Sequence, residues 1–287
     1  MVLGARTYCG GVAIAFVKGH GTENDFVVLP DPDGDLELTE GRVRALCDRQ
    51  RGLGADGVLR VVRAKALADA PAGIDGDAWF MDYRNADGSV AEMCGNGVRV
   101  FARYLRDAGL VDGPEVQVWS RAGVRPATVH TDGTVTVDMG PARVLGQSTT
   151  TVNEITHTGL GVDVGNPHLV SVVDSVAALD LSTQPGFDRD FFPRGVNLEF
   201  IEVLGPTEIR MRVHERGVGE TRSCGTGTVA AAVAALAVRY LTTGAVTVHI
   251  PGGTVEITVA EDTCTLTGPA EFVAEGTLTE SWWNTYA

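Results

Sequence analysis

Two stretches of the chain are written in the same way. Arg222-Ser223-Cys224-Gly225-Thr226-Gly227-Thr228 runs straight into the alanine-rich apolar segment Val229 to Leu241, and Met93-Cys94-Gly95-Asn96-Gly97 runs into Val98 to Ala108. A cysteine followed by Gly-x-Gly at the mouth of a helix has its sulfur in the positive field of the helix N-terminus, which favours thiolate over thiol. That makes Cys224 a candidate base. The repetition constrains the fold, because it predicts two halves built to one plan: strands, a turn bearing Asn, more strands, Cys-Gly-x-Gly and a helix, then strands.

The rest of the chain fits that plan. Ile14-Ala15-Phe16-Val17 reads as a strand leading into a polar, glycine-broken loop from Lys18 to Asp25, after which Phe26 to Leu29 resumes a strand. Thr39 caps a helix through Cys47, with Val43 and Leu46 on its inner face. The glycine turn Arg51 to Gly57 precedes a strand, not a helix, so it fails as a dinucleotide fingerprint. After the strand Trp79 to Tyr83 and a turn, the helix following Cys94 sets Val98, Phe101, Ala102 and Leu105 on one face. Arg99, Arg103 and Arg106 are expected to face outward from it, and Gly109 to end it. Asp132-Gly133 reads as a hairpin turn.

The second half has strands near Gly161–Val164 and Leu169–Val173 around the turn Gly165-Asn166-Pro167-His168. Further strands follow at Leu198–Val203 and Ile209–Val213, then His214-Glu215-Arg216-Gly217, Cys224 with its helix, and a closing run of strands from Val246. The helix after Cys224 is apolar all round, so it should be sheathed by sheet on every side. The expected fold is α+β: two similar, pseudo-symmetric lobes, each a strand-rich sheet wrapped around a central helix, with the active site in the cleft between them. Residues 14–138 plus 269–287 would form the lobe carrying Cys94, 139–268 the lobe carrying Cys224, and 1–13 a disordered extension.

Composition narrows the chemistry. A formal net charge of −14 argues against a nucleic-acid or anionic-membrane partner, since both demand concentrated Lys and Arg. Lys18 and Lys65 are the only lysines, and neither has the context of a Schiff-base lysine, so pyridoxal phosphate is not expected. Cys9, Cys47, Cys94, Cys224 and Cys264 form no close pair and no C-x-x-C, and the six histidines show no ligand spacing. No metal or disulfide is therefore expected, and a reducing, cytoplasmic setting fits. The longest apolar run, Val229 to Val238, is too short to span a bilayer.

Removing a proton from the carbon next to a carboxylate, with inversion, requires a base on one face and an acid on the other. Two cysteines, one thiolate and one thiol, can do both jobs without a cofactor. Helix N-termini at Gly95-Asn96 and Gly225-Thr226 offer N–H groups to the carboxylate. Two other classes stay open at this point: a cysteine hydrolase with His214 or His168 as base, and a thiol-redox protein in which the two cysteines form a reversible disulfide. Cys47 and Cys264 read as core packing, and Cys9 falls in the extension.

Taken together, Lys18-Gly19-His20-Gly21-x-x-Asn24-Asp25-Phe26, Asn85-Ala86-Asp87-Gly88-Ser89, Met93-Cys94-Gly95-Asn96-Gly97-x-Arg99, Gly165-Asn166-Pro167-His168, His214-Glu215-Arg216-Gly217-x-Gly219-Glu220-Thr221 and Cys224-Gly225-Thr226-Gly227 resemble diaminopimelate epimerase. The resemblance implies cofactor-independent interconversion of LL- and meso-diaminopimelate in the route to lysine and peptidoglycan precursors, by two similar domains, often as a homodimer. It implies Cys94 and Cys224 as the acid/base pair, and Gly95, Asn96, Gly225 and Thr226 as holders of the reacting carboxylate. Asn24, Asn85, Asn166, Asn197, Glu215 and Arg216 would hold the remaining polar groups, with Arg216 suited to the distal carboxylate. His168 and Glu215 would tune the thiols.

The chain departs from the family pattern at Gly57, where many members carry Gln, at Thr226, where Ser is frequent, and at Ala274, where some carry an aromatic. Proline racemase and hydroxyproline epimerase are the alternative of the same fold. Those enzymes typically show His where this chain has Asn96, and they lack the His214-Glu215-Arg216-Gly217 cluster.

Overall fold

The computed structural model describes residues 14–286, so Cys9 and the expected extension lie outside the described residues. The chain divides into two compact units, one ending at Val137 and resuming at Pro269, the other spanning Asp138–Gly268.

The first unit opens with β1 (Ile14–Gly21) and β2 (Asn24–Pro30), an antiparallel hairpin. The polar stretch expected as a loop is mostly strand. Thr22 and Glu23 alone make the turn, both at positive φ (52° and 62°), and this two-residue geometry matches the twist of the flanking strands, so pairing runs to the turn itself. Helix α1 (Glu40–Cys47) follows, with the Thr39 hydroxyl accepting the Arg42 N–H at 3.2 Å as its cap. Then come β3 (Gly57–Arg63), β4 (Trp79–Asn85), α2 (Gly95–Asp107), β5 (Glu115–Ser120), β6 (Gly123–Val129) and β7 (Thr134–Gly140).

Val98, Phe101, Ala102 and Leu105 of α2 are fully buried, as their spacing requires. Arg99 does not face outward: it too is fully buried, its Nε donating to Pro269 O (3.2 Å) and its Nη2 to Thr22 Oγ1 (3.0 Å). Arg103 is half-buried and donates to Ala270 O, leaving Arg106 alone of the three exposed. Helical period counts faces, but a helix sheathed by strands on most sides has little outward face to offer.

The second unit contains β8 (Arg143–Val152), β9 (Ile155–Asp163), β10 (Pro167–Val172), β11 (Gly186–Phe187), β12 (Asn197–Gly205), β13 (Glu208–Glu215), β14 (Gly219–Thr221), α3 (Gly225–Val238), β15 (Gly244–Ile250), β16 (Gly253–Val259) and β17 (Cys264–Pro269). Its first hairpin, β8–β9, also turns on two positive-φ residues, Asn153 and Glu154. The chain then returns to the first unit as β18 (Glu271–Leu278), antiparallel to β1.

Eight strands of each unit follow one order: β18-β1-β2-β3-β4-β5-β6-β7 in the first and β8-β9-β10-β12-β13-β15-β16-β17 in the second, which also carries β11 on β8 and β14 on β13. Along each, the pairs run antiparallel, antiparallel, parallel, antiparallel, parallel, antiparallel, antiparallel. Helix α2 packs on β1 through β6, and α3 packs on the matching strands β9, β10, β12, β13, β15 and β16. Burial of α3 from Val229 to Ala232 and from Ala234 to Leu236 explains its alanines: small side chains let strands approach an enclosed helix closely. No helix of the described residues is long and apolar enough to cross a membrane.

Candidate active site

Cys94 and Cys224 occupy the same position, the cap residue before α2 and α3, with extended backbones (φ −146°, ψ 119° and φ −130°, ψ 112°). The first intrahelical bonds are Val98 N–H to Cys94 O (2.9 Å) and Thr228 N–H to Cys224 O (3.0 Å). The N–H groups of Gly95, Asn96, Gly225 and Thr226 therefore lie in the first turn, where the helix supplies no acceptor. Such a turn suits an anion. Cys47, Cys94, Cys224 and Cys264 are free thiols, and burial pushes Cys47 up to about 12, in keeping with a packing role.

Around Cys94, Asn24 is the organising residue. It begins β2, its Nδ2 donates to Asp56 Oδ2 (2.8 Å), and that commits its Oδ1 to the other side, where Asn96 Nδ2 (3.3 Å) and the Cys94 thiol (3.4 Å) donate to it. Arg49 clamps Asp56 and Asp25 at 2.8 Å each, and Lys18 also bonds Asp25. Burial acts to raise the Asp25 carboxyl, but Arg49 and Lys18 outweigh it and hold it at about 2. Asn85, the last residue of β4, turns instead to Ser89 Oγ (3.0 Å). Gly57 opens β3 beside them. A Cβ there would come within 2.6 Å of Arg84 O and of Tyr83 Cε2, so this position has no room for a side chain.

Around Cys224 the polar groups are denser. Thr226 Oγ1 lies 3.7 Å from Sγ. Glu215, the last residue of β13, accepts the Thr221 hydroxyl. Burial pushes the Glu215 carboxyl up. The Cys224 thiol is pushed well up, first by burial and then by the Glu215 and Glu199 carboxylates, while the Gly227 N–H and the Thr226 hydroxyl act the other way. The helix field expected to favour the thiolate is thus outweighed at Cys224.

His168, on β10, is fully buried with both ring nitrogens engaged: Nδ1 lies 2.7 Å from Glu199 Oε1 and Nε2 lies 3.0 Å from Asn166 Oδ1. Neither nitrogen is left for Cys224, which removes His168 as the base of a cysteine hydrolase. Asn197 spans two backbones, donating to Pro167 O (3.2 Å) and accepting the Arg216 N–H (2.9 Å). Arg216 is exposed, and its Nη1 donates to Arg194 O (3.1 Å). Glu215 and Arg216 therefore point to different partners and are not an ion pair.

Sequence reasoning missed Glu199 and Asp56. For Glu199 the signal was present: a carboxylate inside the apolar strand Leu198-Glu199-Phe200-Ile201 is expensive unless paired. Asp56 sits in a glycine turn, where an aspartate reads as turn chemistry.

This arrangement of two like units is the fold of a probable proline racemase from Agrobacterium radiobacter K84, with a TM-score of 0.62 at 15% identity over 93% of each chain. The diaminopimelate epimerase family model matches residues 16–145 and 161–273. Over 284 residues the chain is 58% identical to a diaminopimelate epimerase of Rhodococcus jostii (strain RHA1) and 57% identical to one of Rhodococcus opacus (strain B4). In both cases 94% of this chain and 98% of the relative are covered. The chain belongs to the diaminopimelate epimerase family and is an isomerase.

Proposed function

We propose that the enzyme interconverts LL- and meso-2,6-diaminopimelate in the cytoplasm, with Cys94 and Cys224 as the acid/base pair. The observation that carries this reading is the pair of cysteines, outside any disulfide, capping equivalent helices in two units whose eight principal strands share one order. One sulfur, as thiolate, takes the α-proton, and the other, as thiol, delivers its proton to the opposite face. The net change is inversion, with each sulfur left in the other's starting state. Burial and the Glu215 and Glu199 carboxylates act against the Cys224 thiolate, while the Gly227 N–H and the Thr226 hydroxyl act for it.

Negative charge that develops toward the α-carboxylate meets the N–H groups of Gly95, Asn96, Gly225 and Thr226. Asn24, Asn85, Asn166, Asn197 and Glu215 supply the polar wall. Arg216 retains unengaged donors for the distal carboxylate, a group that proline lacks. His168 and Glu215 set the field at the thiols.

The test is solvent exchange in deuterated buffer with reductant, offering LL-diaminopimelate and L-proline separately. Deuterium at the α-carbon of diaminopimelate together with meso product is the expected result. Label entering proline alone would move the enzyme to the racemase branch of the fold, and label in neither would end the two-thiol reading.

A further inference from the structure

The two units bury opposite chemistry at one equivalent place. In the first, β2 and β3 run parallel with Phe26 opposite Gly57; in the second, β10 and β12 run parallel with His168 opposite Asn197. Two residues beyond Gly57 is Leu59, and two beyond Asn197 is Glu199. Leu59 and Glu199 each lie under the second glycine of their Cys-Gly-x-Gly. A Cβ on Gly97 would meet Leu59 Cδ2 at 3.3 Å and Phe26 Cζ at 3.6 Å, whereas one on Gly227 would meet Glu199 Oε1 at 2.8 Å. Phe26 and Leu59 thus correspond to His168 and Glu199, and all four are fully buried.

An apolar pair is enough to fill this space in the first unit. Two ionisable groups taken out of water cost free energy that their mutual attraction rarely returns in full, and apolar replacements are often as stable. Their presence in the second unit therefore calls for a role other than stability.

Hydrogen bonding supplies one. Nε2 of His168 lies 3.0 Å from the carbonyl oxygen of Asn166, a contact that forms a hydrogen bond when the ring holds a proton there and donates it. Nδ1 faces a carboxylate oxygen at 2.7 Å, so a second proton lies between ring and carboxyl. Whichever of the two atoms holds it, the pair is neutral as a unit. That is the state a buried site tolerates when the other carboxyl oxygen, Oε2, has no partner.

With Oδ1 bound to the ring, Asn166 can offer a ligand only its NH2 group. We propose that Glu199 is a positioning residue which, through His168, fixes the amide of Asn166 with its donors presented to a carboxylate of the substrate. The inference rests on the epimerase reading for the identity of that ligand. The first unit reaches a similar end by other means, since Asp56 fixes the amide of Asn24 with its acceptor toward Cys94.

The experiment combines nitrogen-15 NMR of histidine-labelled full-length enzyme with steady-state kinetics on diaminopimelate, for the parent, Glu199→Gln and Glu199→Leu. The His168 signals are assigned by their absence in His168→Phe. The parent should show His168 protonated at Nε2. Glu199→Gln can place an amide N–H on Nδ1, so it should keep that proton at Nε2 and keep kcat/KM near the parent value. Glu199→Leu should show a mixture of ring tautomers and lose about 10–100-fold in kcat/KM, mostly through KM, as second-layer carboxylates behind histidines do.

A bare Nε2 in the parent, or an unchanged KM in Glu199→Leu, would overturn the proposal. Absence of any diaminopimelate turnover by the parent would defeat the epimerase reading instead, while the NMR arm would still decide the tautomer.

Discussion

Gly227 and Glu199 are fitted to each other: a Cβ on the glycine would lie 2.8 Å from Glu199 Oε1 and 3.3 Å from Cys224 Sγ. The second glycine of the motif is therefore fixed by a carboxylate that has nowhere to move. Alanine favours a helix over glycine by about 1 kcal/mol, yet overpacking a rigid interior costs about 1–3 kcal/mol. Gly227→Ala should lower unfolding free energy in urea by more than Gly97→Ala, whose nearest neighbour is a leucine methyl at 3.3 Å that can turn aside. Equal losses would mean that Glu199 is not held in place.

Equivalent capping positions predict equivalent consequences for the two thiols. Cys94→Ala and Cys224→Ala should each abolish epimerisation while circular dichroism and melting temperature stay close to the parent, because each removes only one sulfur, a weak hydrogen-bonding atom, from its helix cap. Near-normal turnover by either variant would sink the two-thiol mechanism.

Much of this was legible in the sequence, for a local reason. A Cys-Gly-x-Gly before an apolar periodic run specifies a helix start whatever surrounds it, and so both caps, the burial of Val98, Phe101, Ala102 and Leu105, and the Thr39 cap could be read directly. What escaped depends on partners distant in sequence. Arg99 looks like a surface arginine until the hydroxyl of Thr22 and the carbonyl of Pro269 arrive from elsewhere in the chain. Strand β8, with Ser148-Thr149-Thr150-Thr151, is polar enough to pass for loop until β9 pairs with it. The Thr22-Glu23 turn escaped because neither residue is a usual choice for positive φ.

The pH dependence of stability should carry the mark of Glu215. Burial raises its pKa above the ordinary 4.5 and Glu199 adds to the rise, against the Thr221 hydroxyl, the Cys224 thiol and His168. The folded protein thus holds this proton to higher pH than the unfolded chain. Its contribution is fully present below the unfolded value and is lost as pH rises through the folded one. Glu215→Gln removes the effect, so thermal melts should show the variant gaining on the parent as pH rises above the ordinary carboxylate value. A difference that does not change with pH would place Glu215 in water.

Arg216 offers a test at the far end of the substrate. Its side chain is exposed, and its Nη1 donates to the carbonyl of Arg194 at 3.1 Å, which leaves the other guanidinium donors for a bidentate carboxylate. Arg216→Met should raise KM for diaminopimelate and lower kcat as well, since remote binding energy helps place the reacting carbon. Unchanged kinetics would reduce Arg216 to a tether for the loop at Arg194.

The internal repeat makes a last prediction about stability alone. If His168 and Glu199 stand where Phe26 and Leu59 stand in the first unit, then His168→Phe combined with Glu199→Leu should fold with an unfolding free energy at or above the parent's, because apolar residues of similar volume replace a buried ion pair at little or no loss. Glu199→Leu alone should lose about 1–3 kcal/mol, since it leaves the ring's Nδ1 buried without its partner. A double-mutant cycle by urea denaturation measures the coupling directly. Recovery in the double variant, with turnover lost, would mean that the pair is kept for the reaction. If the double is as unstable as the single, the second unit is shaped around the polar pair, and the correspondence between the two interiors fails at this point.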